Sequence, residues 1–220
     1  MKNIKTLTII ICTIFVINYA AALDGTVEYN AVNIDYSILS AKKYAQLGDD
    51  FLKTAEEKKN NTKEKQLFFY GEALGSYITA TEIYPEYVDL YGKIGYIYGK
   101  LGKYGLAKSY LNKGLNMDLK NPVVNYYFGI VCFDMENYNE AIKYYKAAER
   151  LKYSDKYNIN FKIGETNEKL GDLVKAREAY VRALNAKPND KEANAKIRMI
   201  DDLKYKNSQY YYRKKPFYYD

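Results

Sequence analysis

No histidine occurs anywhere in the 220 residues. That absence removes Ser-His and Cys-His nucleophile pairs and any imidazole-based metal site. A phosphate-cradling loop is missing too: the glycines stand one at a time instead of clustering. The carboxylate pairs Asp49-Asp50, Glu56-Glu57 and Asp201-Asp202 are adjacent in sequence. Neighbouring residues on a helix do not share a face, so these read as solvated surface rather than acid–base pairs. The chain is therefore expected to be no enzyme, with no catalytic residue, no metal site and no cofactor.

Cysteine is nearly absent, and the two present are Cys12 and Cys132. Cys12 lies in an apolar run, Leu7–Ile17, broken only by Thr8 and Thr13. That run is short against the roughly 20 residues of a membrane span. Lys2 and Lys5 are the only charges before Asp24, and Ala20-Ala21-Ala22 supplies small residues for cleavage. Residues 1–22 thus have the form of a secretory signal peptide, cleaved after Ala22. A periplasmic protein is the favoured expectation, or a secreted one in which Asn60-Asn61-Thr62 would be a glycosylation acceptor. An uncleaved N-terminal membrane anchor is the alternative. Without residues 1–22, Cys132 stands alone and no intramolecular disulfide forms.

Net charge is modest outside the C-terminus. The chain carries +7 and loses Lys2 and Lys5 with the signal. Residues 204–220 hold five bases against Asp220, a net +4, so residues 23–203 are close to neutral at +1. A repeat array wrapping nucleic acid would spread its bases along one surface, so no nucleic-acid partner is expected. In the tail, Tyr210, Tyr211, Tyr212, Arg213, Lys214 and Lys215 interleave rings with charge. Such a segment suits contact with an envelope or membrane surface, because rings stack and hydrogen-bond and bases lie over them. The alternative is a chain end rich in Tyr and Lys because the whole chain is, with 27 tyrosines.

What the chain does have is a period. Ile94-Gly95, Phe128-Gly129 and Ile163-Gly164 are spaced by 34 and 35 residues, as are Ala107, Ala141 and Ala176, and Tyr104, Tyr138 and Leu173. A period of this length is that of a helix–turn–helix unit. Tyr91, Ile94, Gly95 and Tyr98 share one helical face. Gly102 ends that helix, and Ala107, Tyr110, Leu111, Gly114 and Leu115 line the next. A glycine inside a helix costs about 1 kcal/mol against alanine. Its recurrence points to two backbones that must approach closely.

These residues give the chain a resemblance to tetratricopeptide repeat (TPR) proteins, with repeats at 88–121, 122–155 and 157–190 and Lys156 as an extra residue. The family's tryptophan near each repeat start is absent; Tyr91, Asn125 and Asn160 stand there, and Cys132 and Asn167 replace a tyrosine. The resemblance implies an all-α fold, a right-handed superhelical stack of antiparallel helix pairs. Residues 35–87 read as a degenerate repeat whose two helices lie about 13 residues too far apart. Lys53–Lys65 is either helix extended by several turns or a surface loop. Asp35 is placed as the cap of its first helix, after an extended segment 23–34. Ala193, Ile197, Ile200 and Leu203 predict a capping helix at 191–203.

Repeats of this kind resemble one another in lining a concave groove with the first helix of each pair. The resemblance places Lys93, Tyr96, Lys100, Tyr126, Tyr127, Ile130, Phe133, Phe161, Lys162, Glu165 and Glu168 in that groove, although any aromatic among them can instead pack on a neighbouring helix. It implies a protein or peptide partner and an adaptor or scaffold function. The Lys and Asn residues by which some members hold acidic chaperone tails are missing: Gly92 and Tyr96 occupy the positions in the first good repeat.

Overall fold

The computed structural model describes the backbone of residues 29–57 and 62–214, with side chains for 36–57 and 62–203. Residues 1–22, read as a signal peptide, and the side chains of the basic tail lie outside that set. Among the described residues the structure is all helix: α1 (Tyr29–Glu56), α2 (Lys63–Ile83), α3 (Val88–Lys100), α4 (Tyr104–Met117), α5 (Pro122–Asp134), α6 (Tyr138–Arg150), α7 (Lys156–Lys169), α8 (Leu173–Ala186) and α9 (Lys191–Lys214). Consecutive helices pair, and α3 packs on α5 as well as on α4, so the pairs stack into an all-α repeat solenoid. None of the described helices is long and apolar enough to cross a membrane.

Each pair is locked by one bulky side chain laid over a glycine. A Cβ added at Gly129 would stand 2.5 Å from the Tyr145 ring, at Gly164 2.6 Å from Tyr180, and at Gly48 2.5 Å from Tyr77. At Gly95 the counterpart is Leu111, also at 2.5 Å, and the Ala107 carbonyl lies 3.0 Å away. All three tyrosines and Leu111 are fully buried. Glycine is therefore needed for ring-to-backbone packing, and Ala107 stays small for the same reason.

The turn inside each of the three later pairs is also fixed. Gly102, Glu136 and Gly171 occupy the left-handed region, at φ of 72°, 61° and 78°. The N–H of the following residue reaches back five positions in every case, Lys103 to Tyr98, Asn137 to Cys132 and Asp172 to Asn167, at 2.8–2.9 Å. This is a Schellman closure. At Glu136 a side chain sits where glycine is preferred, a conformation that costs about 1–2 kcal/mol for L-residues.

The first pair absorbs an insertion. Gly48 and Tyr77 are 29 residues apart, whereas Gly129–Tyr145 and Gly164–Tyr180 span 16. Of the 13 extra residues, three lengthen the end of α1, three lengthen the loop and seven lengthen the start of α2, counted from the same glycines and tyrosines. Thr62 caps α2, its hydroxyl accepting from Lys65 N–H at 3.3 Å. Asn60 and Asn61, of the possible glycosylation triplet, lie outside the described residues.

Three expectations are corrected. α1 already begins at Tyr29, so 29–34 is helix rather than extended segment and Asp35 lies inside the helix instead of capping it. No glycine or proline interrupts 29–47, which leaves nothing to stop the helix there. The capping helix does not end at Leu203 but runs to Lys214. Its first breaker is Pro216, two residues further on. Ala193 and Ile200 are buried against Phe161, Tyr180 and Ala183, with Ile197 beside them, while Leu203 is 41% exposed.

At the start of α9, Asp190 accepts from the N–H of Glu192 and Ala193, from Tyr157 Oη at 2.7 Å and from Lys187 Nζ at 2.8 Å. Lys187, the Ala193 N–H and Tyr157 hold its carboxyl well below the usual carboxylate range.

Two stability tests follow from this packing. Gly129→Ala should destabilise by about 1–3 kcal/mol, because the buried Tyr145 ring has no room to move. Gly75→Ala, in the interior of α2 with nothing within 4 Å, should stabilise by about 1 kcal/mol; urea unfolding of both variants reads the opposite signs. For Asp190 the folded pKa lies below the unfolded value of about 3.9, so its contribution is complete above about pH 5 and fades as pH falls through the folded value. Asp190→Asn should accordingly lower the urea midpoint at pH 7 and lose less than wild type on going to pH 3.

Candidate functional site

The inner helices α1, α3, α5 and α7 bring one side of the solenoid together as two adjoining hollows. The larger, about 350 Å³, is lined by Asp49, Leu52, Lys53, Glu56, Glu57, Lys93 and Tyr127. The other, about 290 Å³, is lined by Glu56, Tyr96, Lys100, Tyr126, Tyr127, Ile130, Tyr153, Asp155, Asn158 and Lys162. Glu56 and Tyr127 belong to both. The smaller approaches the low end of small-ligand pockets, roughly 300 Å³.

Four tyrosines make the floor. Tyr126 stacks on Tyr153 at 4.3 Å between ring centroids, meets Tyr127 edge-on at 5.4 Å, and Tyr127 leans on Tyr96 at 5.1 Å. Close approach of α3 to α5 permits this. A Cβ at Gly92 would come within 3.2 Å of the Tyr127 ring, and one at Gly99 within 2.9 Å of Val131. Tyr96 donates its hydroxyl to Glu56. Among the described residues the hydroxyls of Tyr126, Tyr127 and Tyr153 have no hydrogen-bond partner. Burial raises the pKa of all four phenols, and the carboxylates of Glu56 and Asp155 push the same way. They stay protonated, as donors, throughout the physiological range. Tyr70 beneath them is pushed up to about 12 by burial and then by Glu56.

Three lysines of this face are already paired. Lys93 bonds Asp49 at 2.5 Å, Lys100 bonds Asp134 at 2.8 Å and Lys162 bonds Glu165 at 2.7 Å. Lys93, Lys100 and Lys162 also lie over the rings of Tyr77, Tyr96 and Phe133.

Of the residues the sequence reading places in the groove, Lys93, Tyr96, Lys100, Tyr126, Tyr127, Ile130 and Lys162 line the hollows. Tyr96, Tyr126 and Ile130 form its floor and are 7–8% exposed. Phe161, 6% exposed, is wedged between Tyr157 and Tyr180 and belongs to the packing under α9. Phe133 meets Tyr138 edge-on. Glu168 is held by Tyr180 and Lys196. Carboxylates that the sequence reading leaves to solvent are engaged: Asp49 takes Tyr77 and Lys93, and Glu56 takes Tyr96. Tyr153 and Asp155, on the α6–α7 turn, and Asn158, in the first turn of α7, were not foreseen; their signal lay only in the repeat spacing that puts this turn beside α5. The side chains of Tyr210, Tyr211, Tyr212, Arg213, Lys214 and Lys215 lie outside the described residues.

Cys132 is buried with its Sγ 3.6 Å from Glu140, and burial pushes its thiol up to about 12. Among the described residues no group of three or more His, Cys, Asp or Glu could hold a metal.

The locking tyrosines differ at their hydroxyls. Tyr77 donates to Asp49 at 2.6 Å and Tyr180 to Glu168 at 2.7 Å. In the pair between them the corresponding positions are Ile130 and Phe133, and the Tyr145 hydroxyl is buried with no partner among the described residues.

The tetratricopeptide repeat family model matches residues 88–121, 125–155 and 157–190. A curated relative, TPR repeat-containing protein MJ1428 of Methanocaldococcus jannaschii, is 28% identical over 154 residues, 66% of this chain, and the chain spans 27% of that relative's length. Among solved structures, Pseudomonas aeruginosa PilF has a TM-score of 0.64 at 19% identity, over 79% of this chain and 72% of its own. A chain of Naa15/Naa10 bound to HypK-THB has a TM-score of 0.55 at 20% identity, over 74% of this chain and 23% of its own. At such identities the structural likeness is one of fold.

Removing the hydroxyls tests the lock. Tyr145→Phe should be neutral or stabilising by up to about 1 kcal/mol, since it deletes an unpaired buried polar atom, whereas Tyr180→Phe should cost about 1 kcal/mol by removing one of the two donors to Glu168 and leaving Lys196 as the other. Thermal melts of the two variants should move apart.

Proposed function

Because the chain carries three tetratricopeptide repeats, we propose that it is a non-catalytic adaptor that holds a protein or peptide partner in the tyrosine-floored hollows of α1, α3, α5 and α7. The observation that carries this reading is the convergence of four tyrosines from two successive repeats, Tyr96 from the first and Tyr126, Tyr127 and Tyr153 from the second, on one concave surface. Three of their hydroxyls are free to donate to a main chain. Tyrosine suits such a surface because its rigid ring contributes area at low entropic cost and its hydroxyl contributes polarity. An extended segment or an amphipathic helix fits a groove of this shape. The membership of a similarly folded chain in the Naa15/Naa10–HypK-THB complex is in keeping with a scaffold.

Export places the adaptor in the periplasm, on the strength of residues 1–22. Attachment to an envelope surface through Tyr210–Lys215 is the second reading, favoured by the concentration of base in that stretch.

The test is affinity capture from the native cell envelope with the full chain. Tyr127→Ala with Phe133→Ala should abolish capture of the partner while circular dichroism stays that of a helical fold. Neutralising Arg213, Lys214 and Lys215 should leave capture intact. The reverse pattern, with capture lost at high salt, would assign binding to the tail.

A further inference from the structure

We propose that the smaller hollow recognises a cationic side chain, lysine or arginine, on the partner peptide. This rests on the groove reading above and names what the groove selects. The first observation is the residual charge. Every lysine lining this hollow has its own carboxylate: Lys100 has Asp134 and Lys162 has Glu165. Glu56 and Asp155 have no cationic partner among the described residues. Glu56 accepts only from the Tyr96 hydroxyl, and Asp155 takes the N–H and side-chain amide of Asn158. In the adjoining hollow Lys93 is bound to Asp49, and Lys53 is outnumbered by Glu56 and Glu57. After internal pairing, the tyrosine floor is bounded by two uncompensated carboxylates.

The second observation is the floor itself. Among the described residues no cation lies over the rings of Tyr126, Tyr127 and Tyr153, unlike Tyr96 beneath Lys100. Tyr126 is 7% exposed, lines the hollow and has no partner for its hydroxyl. Aromatic faces and carboxylates together attract an ammonium or guanidinium group that has left water. An acidic side chain would meet Glu56 and Asp155, and the described bases lining this hollow, Lys100 and Lys162, are already paired.

Glu56 has a structural origin that supports a dedicated part. It lies in the three residues by which α1 outruns the other inner helices, so the insertion in the first pair is what brings it over Tyr96, forty positions further on.

Random dodecapeptides displayed on phage, selected against the full chain, test the inference, with the retained peptides then synthesised and titrated by fluorescence anisotropy. Lys or Arg should recur at one fixed position. Changing it to Met should weaken binding roughly ten-fold, as should Glu56→Gln, a substitution that keeps size and an acceptor for Tyr96. Peptides that need Tyr127 but carry a carboxylate or no charge at the fixed positions would overturn the cationic specificity and leave the groove standing. Retention of no peptide, or of peptides indifferent to Tyr127→Ala, would overturn both. A synthetic peptide of residues 204–220 is run alongside. Its binding, if dependent on Glu56, supports the inference with a second copy as the source of the cation; binding unaffected by Glu56→Gln counts against it.

Discussion

A ring lying flat on a helix backbone, with no Cβ between them, is the contact on which this solenoid depends. It sets how near the two helices of a pair come, and so where every other side chain of the pair ends up. Tyr77, Tyr145 and Tyr180 reach from the outer helix to the inner one because Gly48, Gly129 and Gly164 let them. Where the ring is replaced by Leu111, the neighbouring glycines at 92, 99 and 114 draw α3, α4 and α5 closer instead. The tyrosine floor of the groove follows from that approach, since Tyr127 rests over Gly92 and against Tyr96.

Charge on the concave side is settled in layers. Lys93, Lys100 and Lys162 are neutralised by acids of the same or a neighbouring unit, an arrangement in which a pair such as Lys100–Asp134 ties α3 to α5. Such half-exposed pairs are worth little in stability. Their larger effect is on recognition, because they leave Glu56 and Asp155 to set the sign of the hollow. On the proposed reading, an exposed acid on a helical extension matters more to binding than the three lysines that a reading of composition would choose.

The architecture was legible in the sequence because its cause is local and periodic. Gly95, Gly129 and Gly164 recur with their small and aromatic partners, and the misfit of about 13 residues in the first pair matches the separation of Gly48 from Tyr77. Helix ends were less legible. Asp35 resembles a cap only if the helix starts there, and the uninterrupted stretch before it carries the helix back to Tyr29. Leu203 closes an apolar stripe but no break, and α9 runs on. For the groove, position within the repeat foretold which residues come together, not how deep they lie. Tyr96 and Phe161 occupy inner helices, yet their rings sink into the packing. The acids were misread because adjacency on a helix says nothing of what another helix brings to each member: Asp49 and Glu56 meet tyrosines and a lysine from 28 to 44 positions away.

The locks also work as addresses. Chains of similar units are prone to pair wrong neighbours during folding, because each interface resembles the next. Here every junction is keyed differently: a tyrosine with an aspartate beside its glycine, a leucine, a tyrosine with an apolar surround, and a tyrosine with a glutamate one turn on. An outer helix docked on the wrong inner helix would bury Tyr180 without its acceptor, or set Glu168 against a ring that has no need of it. The small departures from perfect repetition thus act as negative signals during assembly, and a more regular version of this chain would lose its sense of order.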